Sequence, residues 1–291
     1  MGAMKRFVLN VIAKDASSLA ARLVALGAPR WLSENRAFDI ALEGDPRTAL
    51  DEARDLAGDR AADINLVPAE GRRKKLLISD MESTIIDVEC LDELADFAGI
   101  KPQIAAITER AMKGEIEFTS ALRERVGLLK GLPLTVLERV WFERVRLIPG
   151  ALELIATMKV HGARTLLVSG GFAYFTTRVA KLVGFDEHQS NILLDDGVKL
   201  TGCVGEPILG KEAKLAALER ALQRFALKAE EALAVGDGAN DLAMIQRAGL
   251  GVAFHAKPVV AAAAGASVRH GDLSALLYLQ GYCDDEIVRA V

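Results

Sequence analysis

Two acidic clusters concentrate the chemistry of this 291-residue chain. Asp80-Met81-Glu82-Ser83-Thr84 closes the apolar run Leu76-Leu77-Ile78, and Gly236-Asp237-Gly238-Ala239-Asn240-Asp241 closes Ala232-Leu233-Ala234-Val235. Each cluster sets carboxylates at the C-terminal end of a strand pattern, just ahead of a helical one. Ligands of open α/β sheets bind at that edge, so two clusters far apart in sequence are expected to share one site. Hard oxygen ligands around a pocket point to magnesium, and magnesium beside a carboxylate points to phosphoryl chemistry.

Carboxylates converge only if rigid elements carry them. Short apolar runs at 75–79, 164–168, 232–235 and 250–254 each end in a Gly, Asp or Ser turn and read as strands. Helical patterns between them imply right-handed crossovers and an α/β, Rossmann-like parallel sheet covered on both faces. Between the first two of these strands lies a long stretch with helical patterns at 89–98, 102–113, 119–129 and 134–140. A structureless loop of that length does not fit a compact domain, so a helical cap or lid is expected at about 86–148.

Residues 1–70 read as a separate α+β unit, and 71–291 as the domain that bears the acidic clusters. The unit has a strand at 7–12, a helix at 16–26 opened by Asp15 and stopped by Gly27, and paired strands at 30–34 and 37–42. A helix at 46–57 follows, with Asp45 as N-cap and Pro46 at its first position, and a strand at 62–67 closes the unit. This βαββαβ order resembles the small amino-acid-binding ACT module. No glycine-containing turn follows the first strand, so a structural or dimerising appendage is expected rather than an effector site. Exposed edge strands in so small a unit allow a homodimer. The basic segment 68–75 reads as the linker, and Met1-Gly2-Ala3 before Met4 carries no structural weight.

Composition narrows the partners. A net charge of -4 and a pI near 5.7 provide no footprint for nucleic acid or an anionic membrane. Cys90, Cys203 and Cys283 form no CxxC pair and read as reduced, buried thiols. No stretch approaches the ~20 apolar residues of a membrane span, and the N-terminus lacks a signal-peptide pattern. A cytoplasmic protein is expected.

Four blocks in fixed order carry a specific resemblance: Asp80-Met81-Glu82-Ser83-Thr84, Ser169-Gly170-Gly171-Phe172, Lys214 within Gly210-Lys211-Glu212-Ala213-Lys214, and Gly236-Asp237-Gly238-Ala239-Asn240-Asp241. From about Lys74 to the C-terminus the chain resembles the phosphoserine phosphatases of the haloacid dehalogenase superfamily. The resemblance implies magnesium-dependent hydrolysis of O-phospho-L-serine to L-serine and phosphate through an aspartyl-phosphate, the last step of serine biosynthesis. It makes Asp80 the nucleophile, a residue whose alternative use after a strand is helix capping. Glu82 falls where the family places an aspartate that serves as acid and base, a role worth ~10²- to 10⁴-fold. Glutamate keeps the acid but adds about 1.5 Å of reach.

The same resemblance gives magnesium three protein ligands: Asp80, the backbone carbonyl of Glu82, and Asp237, with Asp241 bracing the ion. Gly236 and Gly238 are expected to permit an unusual turn there. Ser169 and Gly170, at the end of their strand, would receive phosphate oxygens, with helix capping as the competing use of Ser169. Lys214, rather than Lys211, would supply the cation, and Asn240 a neutral donor. Glu89 would bind the substrate ammonium and Arg125 its carboxylate, with Arg123 a surface neighbour. Met112 and Phe118 match apolar positions that exclude water or simply pack the cap. Two other functions keep this machinery. One is phosphatase or phosphotransferase action on another small phosphomonoester; the other is an amino-acid-phosphate sensor weakened by Glu82.

Overall fold

The computed structural model describes residues 6–289, so the Met1-Gly2-Ala3 lead lies outside the described residues. The chain opens with β1 (Phe7–Ala13), α1 (Ala16–Arg22), β2 (Pro29–Ser33), β3 (Ala37–Ala41), α2 (Pro46–Ala57) and β4 (Ala62–Pro68). These strands form an antiparallel sheet in the order β2-β3-β1-β4. The Asp45 carboxylate accepts the Thr48 N–H at 2.8 Å and caps α2, as Asp-Pro at that boundary predicts. The helix expected over 16–26 stops at Arg22, and a 3-10 turn over Val24–Leu26 follows. Gly27 ends that turn at φ +144°, where a Cβ would lie 2.8 Å from the Ile40 side chain.

The rest of the chain builds a second, larger sheet. β5 (Leu76–Ser79) leads into four helices, α3 (Cys90–Phe97), α4 (Lys101–Met112), α5 (Phe118–Gly127) and α6 (Thr135–Glu143), and then α7 (Ala151–Val160). β6 (Arg164–Phe172), α8 (Ala173–Val183) and β7 (Glu187–Asn191) follow, then a hairpin of β8 (Leu193–Asp195) and β9 (Leu200–Val204). After α9 (Lys211–Arg224) come β10 (Ala232–Gly236), α10 (Leu242–Arg247), β11 (Leu250–Phe254), α11 (Pro258–Ala263), β12 (Ala266–Val268) and α12 (Ala275–Leu279). Six strands pair in parallel in the order β12-β11-β10-β5-β6-β7. The central strands are buried at every position from Leu76 to Ser79 and from Ala232 to Gly236, the continuous apolar pattern of a sheet covered on both faces.

From β5 the chain proceeds to β6 and β7 on one side, and later to β10, β11 and β12 on the other. The direction of winding therefore reverses between β5 and β10, which is where open α/β sheets leave a crevice. At the carboxyl ends of these two strands the Asp80 N–H donates to the Val235 carbonyl at 3.0 Å. The segments that enter and leave the four helices are tied together: Asp87 N–H donates to the Arg146 carbonyl, and Ile148 N–H to that of Ile85. The β8–β9 hairpin braces α5 from below; Gly131 N–H donates to the Leu200 carbonyl, and a Cβ on Gly202 would lie 2.8 Å from the Lys130 Cβ.

The small sheet is buried on both faces. Leu9, Val11, Phe38 and Ile40 pack under α1 and α2, while Val8, Ile12, Leu32 and Val67 join the main core with Leu276 and Tyr278. Its polar residues close the junction. Asn65 donates to the Ser267 carbonyl at 3.0 Å and accepts the Ser267 N–H at 2.8 Å, so a side-chain amide takes the place of a strand on the β12 edge. Asp63 accepts the N–H groups of Arg269 and Gly271 at 2.7 and 2.8 Å. From the linker, Arg72 forks onto Asp39 at 2.5 and 3.2 Å and also donates to the Leu279 and Tyr278 carbonyls.

The thiols differ from expectation: Cys90 is buried, but Cys203 is exposed and Cys283 half-exposed. Cys203 lies on the β8–β9 hairpin, an element outside the main sheet whose outer positions face solvent. Among the described residues, no helix is long and apolar enough to cross a membrane.

The junction generates a stability prediction. Asp39→Ala leaves a buried guanidinium and the Asn10 amide without their carboxylate, and should cost ~3–5 kcal/mol in urea unfolding. Replacing Arg72 by Met in the same chain should recover much of that loss, because two apolar groups leave no charge unpaired. No recovery in the double variant would show that the ion pair is not the source of the cost.

Candidate active site

Adjacent parallel strands bring the two acidic clusters together. Oxygens of Asp80, Asp237 and Asp241 all lie within 4.8 Å of one another. Asp80 is 5% exposed; one of its oxygens, Oδ1, accepts the Met81 N–H at 2.7 Å and lies 2.8 Å from the Lys214 ammonium. Its Oδ2 takes no protein hydrogen bond among the described residues. No helix begins beside it, since the chain turns through 82–88 before α3 starts at Cys90, so the capping alternative fails. The turn is held in an uncommon conformation: Ser83 has φ +54°, and its hydroxyl donates to Glu89 at 2.8 Å.

Lys214 lies on the first turn of α9, 3% exposed, and reaches Asp241 at 2.5 Å as well as Asp80. Burial alone would lower its pKa, but the charges of Asp80 and Asp241 outweigh that and raise it. Lys211 projects into solvent with a side chain 73% exposed, which settles which lysine belongs to the cluster. Asp241 has both oxygens engaged, one with Lys214 and the other with the Gly238 N–H at 3.0 Å. Its pKa is raised, first by burial and then by Asp80. Asp237 is also raised by burial and by the charge of Asp80.

The glycines flanking Asp237 serve a purpose other than the expected unusual turn, because neither has a positive φ. A Cβ on Gly236 would lie 2.4 Å from Asp241 Oδ2, and one on Gly238 would collide with the Asn240 amide. They are small so that those side chains can fold back over the backbone. Asn240 itself is exposed at the rim.

Three carboxylates, Asp80 and Asp241 buried and Asp237 half-buried, face one ammonium, and the donor set is all oxygen. Such a set fits a hard divalent cation like magnesium. Asp80 and Asp237 have oxygens to offer, whereas those of Asp241 are already spent on bracing.

Ser169 and Gly170 lie within a strand rather than beyond its end, because β6 continues to Phe172. Its register against β7 is irregular between Val168 and Phe172, and the Asn191 amide there donates to the Gly170 carbonyl at 2.8 Å. Ser169 does not cap α8. Its hydroxyl accepts the Gly171 N–H at 2.8 Å, which leaves its own proton to donate.

Glu82 turns its side chain toward the start of α3, where Oε1 accepts the Cys90 N–H at 2.7 Å. Burial, then the charges of Glu89 and Asp80, push its pKa well above the usual carboxylate range. Nothing in the residue pattern singled out the Cys90 amide; it emerges only when α3 is placed. Arg125 lies half-buried on α5 in the negative field of Asp92, Glu82 and Glu89, with weak contacts to the Ala121 carbonyl and Thr108 hydroxyl at 3.4 and 3.5 Å. No carboxylate pairs with it among the described residues, whereas Arg123 is taken up by Glu206 at 2.5 Å. The Phe118 ring would lie 3.7 Å from a Cβ on either Gly170 or Gly210, so it bridges β6 and the start of α9. Met112, at the end of α4, is 67% exposed and is not brought into that contact.

Comparison with known proteins matches residues 74–249 to the haloacid dehalogenase-like hydrolase family model. The phosphoserine phosphatase of Albidiferax ferrireducens is 47% identical over 212 residues, covering 70% of this chain and 89% of that protein. The phosphoserine phosphatase of Archaeoglobus fulgidus is 44% identical over 205 residues, covering 70% of this chain but 59% of that protein. The match thus spans little more than half of the Archaeoglobus relative. Among solved structures, a haloacid dehalogenase family hydrolase from Salmonella enterica superposes with TM-score 0.84 at 30% identity, over 95% of this chain and 98% of that one. A phospho-aspartyl intermediate analogue of phosphoserine phosphatase superposes with TM-score 0.65 at 37% identity, over 70% of this chain and 98% of that one.

The electrostatics of the cluster make a prediction. Lys214→Met strands buried carboxylates without a counter-charge and should lower stability by ~3–5 kcal/mol in the presence of a chelator. Added magnesium should return part of the lost thermal midpoint. A midpoint equal to that of the parent would show that Lys214 is not the compensating charge.

Proposed function

Because this chain belongs to the haloacid dehalogenase-like hydrolases, we propose that it hydrolyses O-phospho-L-serine to L-serine and phosphate, with Asp80 as the nucleophile. The observation that carries the reading is the state of Asp80. Its Oδ1 is fixed by Met81 and Lys214, and its Oδ2 is unengaged at the switch point of the sheet. The substrate comes from the matched relatives and from Arg125, an unpaired guanidinium near Glu89 that suits the two ends of a zwitterionic amino acid.

Asp80 Oδ2 attacks phosphorus, and the bond from phosphorus to the serine oxygen breaks. Glu82, kept protonated by its buried position, gives its proton to the departing oxygen, which leaves as the hydroxyl of serine. The resulting carboxylate then takes a proton from water as that water attacks the aspartyl-phosphate. Phosphate leaves, and Asp80 and protonated Glu82 are restored. Ser169 and Lys214 present a hydroxyl and an ammonium to the phosphoryl oxygens throughout, joined by the Gly170 N–H and Asn240. Magnesium, held by Asp80, the Glu82 carbonyl and Asp237, would neutralise charge on the transferring group.

The helices α3–α6 serve in this reading as a cap, with hinges at the paired segments 85–87 and 146–148, and Phe118 at its lip. Residues 6–68 serve as an ACT-like unit, supported by the β2-β3-β1-β4 order with both helices on one face. The close docking of that unit favours a structural role. Hydrolysis of this substrate corresponds to the last step of serine biosynthesis.

Phosphate release from O-phospho-L-serine should depend on magnesium and vanish in Asp80→Asn. Glu82→Gln should lower kcat by ~10²- to 10⁴-fold. Arg125→Glu should raise KM for phosphoserine far more than for a phosphomonoester without a carboxylate. Equal effects on both substrates would overturn the assignment of phosphoserine, and undiminished turnover by Asp80→Asn would overturn the nucleophile.

A further inference from the structure

The peptide that joins Gly170 to Gly171 is held by a side chain at each end. Its N–H donates to Ser169 Oγ at 2.8 Å, and its carbonyl accepts from the Asn191 amide at 2.8 Å. The strand ladder does not hold it. Val168 pairs with Gln189 and Phe172 with Asn191, so residues 169–171 of β6 stand opposite Ser190 alone. A peptide flanked by two glycines meets little steric resistance to rotation. Without a bond at its carbonyl it can turn, and the N–H that engages Ser169 turns with it.

Asn191 is fixed well enough to prevent this. It ends β7, is 2% exposed, and uses both ends of its amide. Oδ1 accepts the Leu209 N–H at 2.7 Å, and Nδ2 donates to the Leu209 carbonyl at 3.3 Å as well as to that of Gly170. The side chain thus pairs with Leu209 as a neighbouring strand would, which aims its other amide proton at Gly170. Hydrogen bonds in a row polarise one another, so this donor also strengthens the bond from the Gly171 N–H to Ser169. With one lone pair of its hydroxyl engaged there, Ser169 keeps its proton for a phosphoryl oxygen.

We propose that Asn191 is a positioning residue for Ser169: its amide locks the 170–171 peptide in the orientation that holds the Ser169 hydroxyl ready to donate to the phosphoryl group. Asn191 lies outside all four blocks of the resemblance and touches no reacting atom; it acts through the peptide. This inference rests on the reading of Ser169 as a phosphate donor.

The test is a cycle of the parent, Asn191→Leu, Ser169→Ala and the double variant, with magnesium present. Asn191→Leu should lower kcat on O-phospho-L-serine by about 10- to 10²-fold and weaken the binding of inorganic phosphate, followed by calorimetry, by about tenfold. In the Ser169→Ala background the same substitution should change either quantity by less than about threefold. A residue that merely supports the fold would cost the same factor in both backgrounds. If Asn191→Leu does not fold, Asn191→Ala, which adds no bulk, takes its place in the cycle. Weaker phosphate binding in Ser169→Ala, with an equal Asn191 factor in both backgrounds, overturns the inference alone. Unchanged phosphate binding in Ser169→Ala overturns the reading of Ser169 and the inference with it. A parent that binds phosphate with the expected coupling but does not turn over phosphoserine upholds the role of Asn191 and sinks the choice of substrate.

Discussion

A single buried ammonium between two buried carboxylates sets the terms for the whole site. Lys214 is 3% exposed, yet it stays charged because Asp80 and Asp241 stand against it. Remove the cation and Asp80, Asp237 and Asp241 become like charges in a confined space; remove Asp241 and the lysine loses its brace. These four residues come from three places, the end of β5 for Asp80, the turn after β10 for Asp237 and Asp241, and α9 for Lys214, so their electrostatic balance also locks the packing of α9 against the sheet. Gly236 and Gly238 are part of the same arrangement, because only bare positions leave room for Asp241 and Asn240 to fold back over the backbone.

The placement of the two acidic clusters was legible because it depends on strand order more than on detail. Buried parallel strands read as unbroken apolar runs, and Leu76-Leu77-Ile78 and Ala232-Leu233-Ala234-Val235 are such runs. β7 was not legible for the opposite reason: Glu187-His188-Gln189-Ser190-Asn191 has no apolar residue, and only its pairing with β6 makes it a strand. The β8–β9 hairpin was hidden in the same way, since its purpose is to support α5 and its outward positions are free to vary. In the site, residue types and order pointed to Asp80, Asp237 and Lys214, but not to what each oxygen does. That Asp241 is spent on Lys214 and Gly238, or that Glu82 leans on the Cys90 amide, follows from the path of turns whose periodicity carries no signal.

The small sheet illustrates a second limit. Phe7-Val8-Leu9-Asn10-Val11-Ile12 is apolar on both alternating faces except at Asn10, a pattern that suits a doubly covered strand. The sequence identifies neither cover. α1 and α2 supply one, and the other is α12, more than two hundred residues downstream. Of the polar positions within otherwise apolar strands, Asn10 donates to the Tyr278 carbonyl of α12, Asn65 pairs with Ser267 of β12, and Asp39 holds Asn10 and the linker residue Arg72 in place. Such buried polar residues are costly unless each finds its partner, so they reward one docking geometry and penalise others.

The Asn65 amide at the border of the large sheet bears on colloidal behaviour. An outermost parallel strand is a ready template for pairing with another chain, and natural proteins blunt such borders with charge, distortion or a cover. Here the blunting is done by side chains of a neighbouring unit: one amide and the Asp63 carboxylate occupy the donors and acceptors from Ser267 to Gly271. The appended sheet therefore acts as a guard for its neighbour during synthesis and storage. A chain that lost it would present an open strand to every other copy and clump before any question of turnover arose.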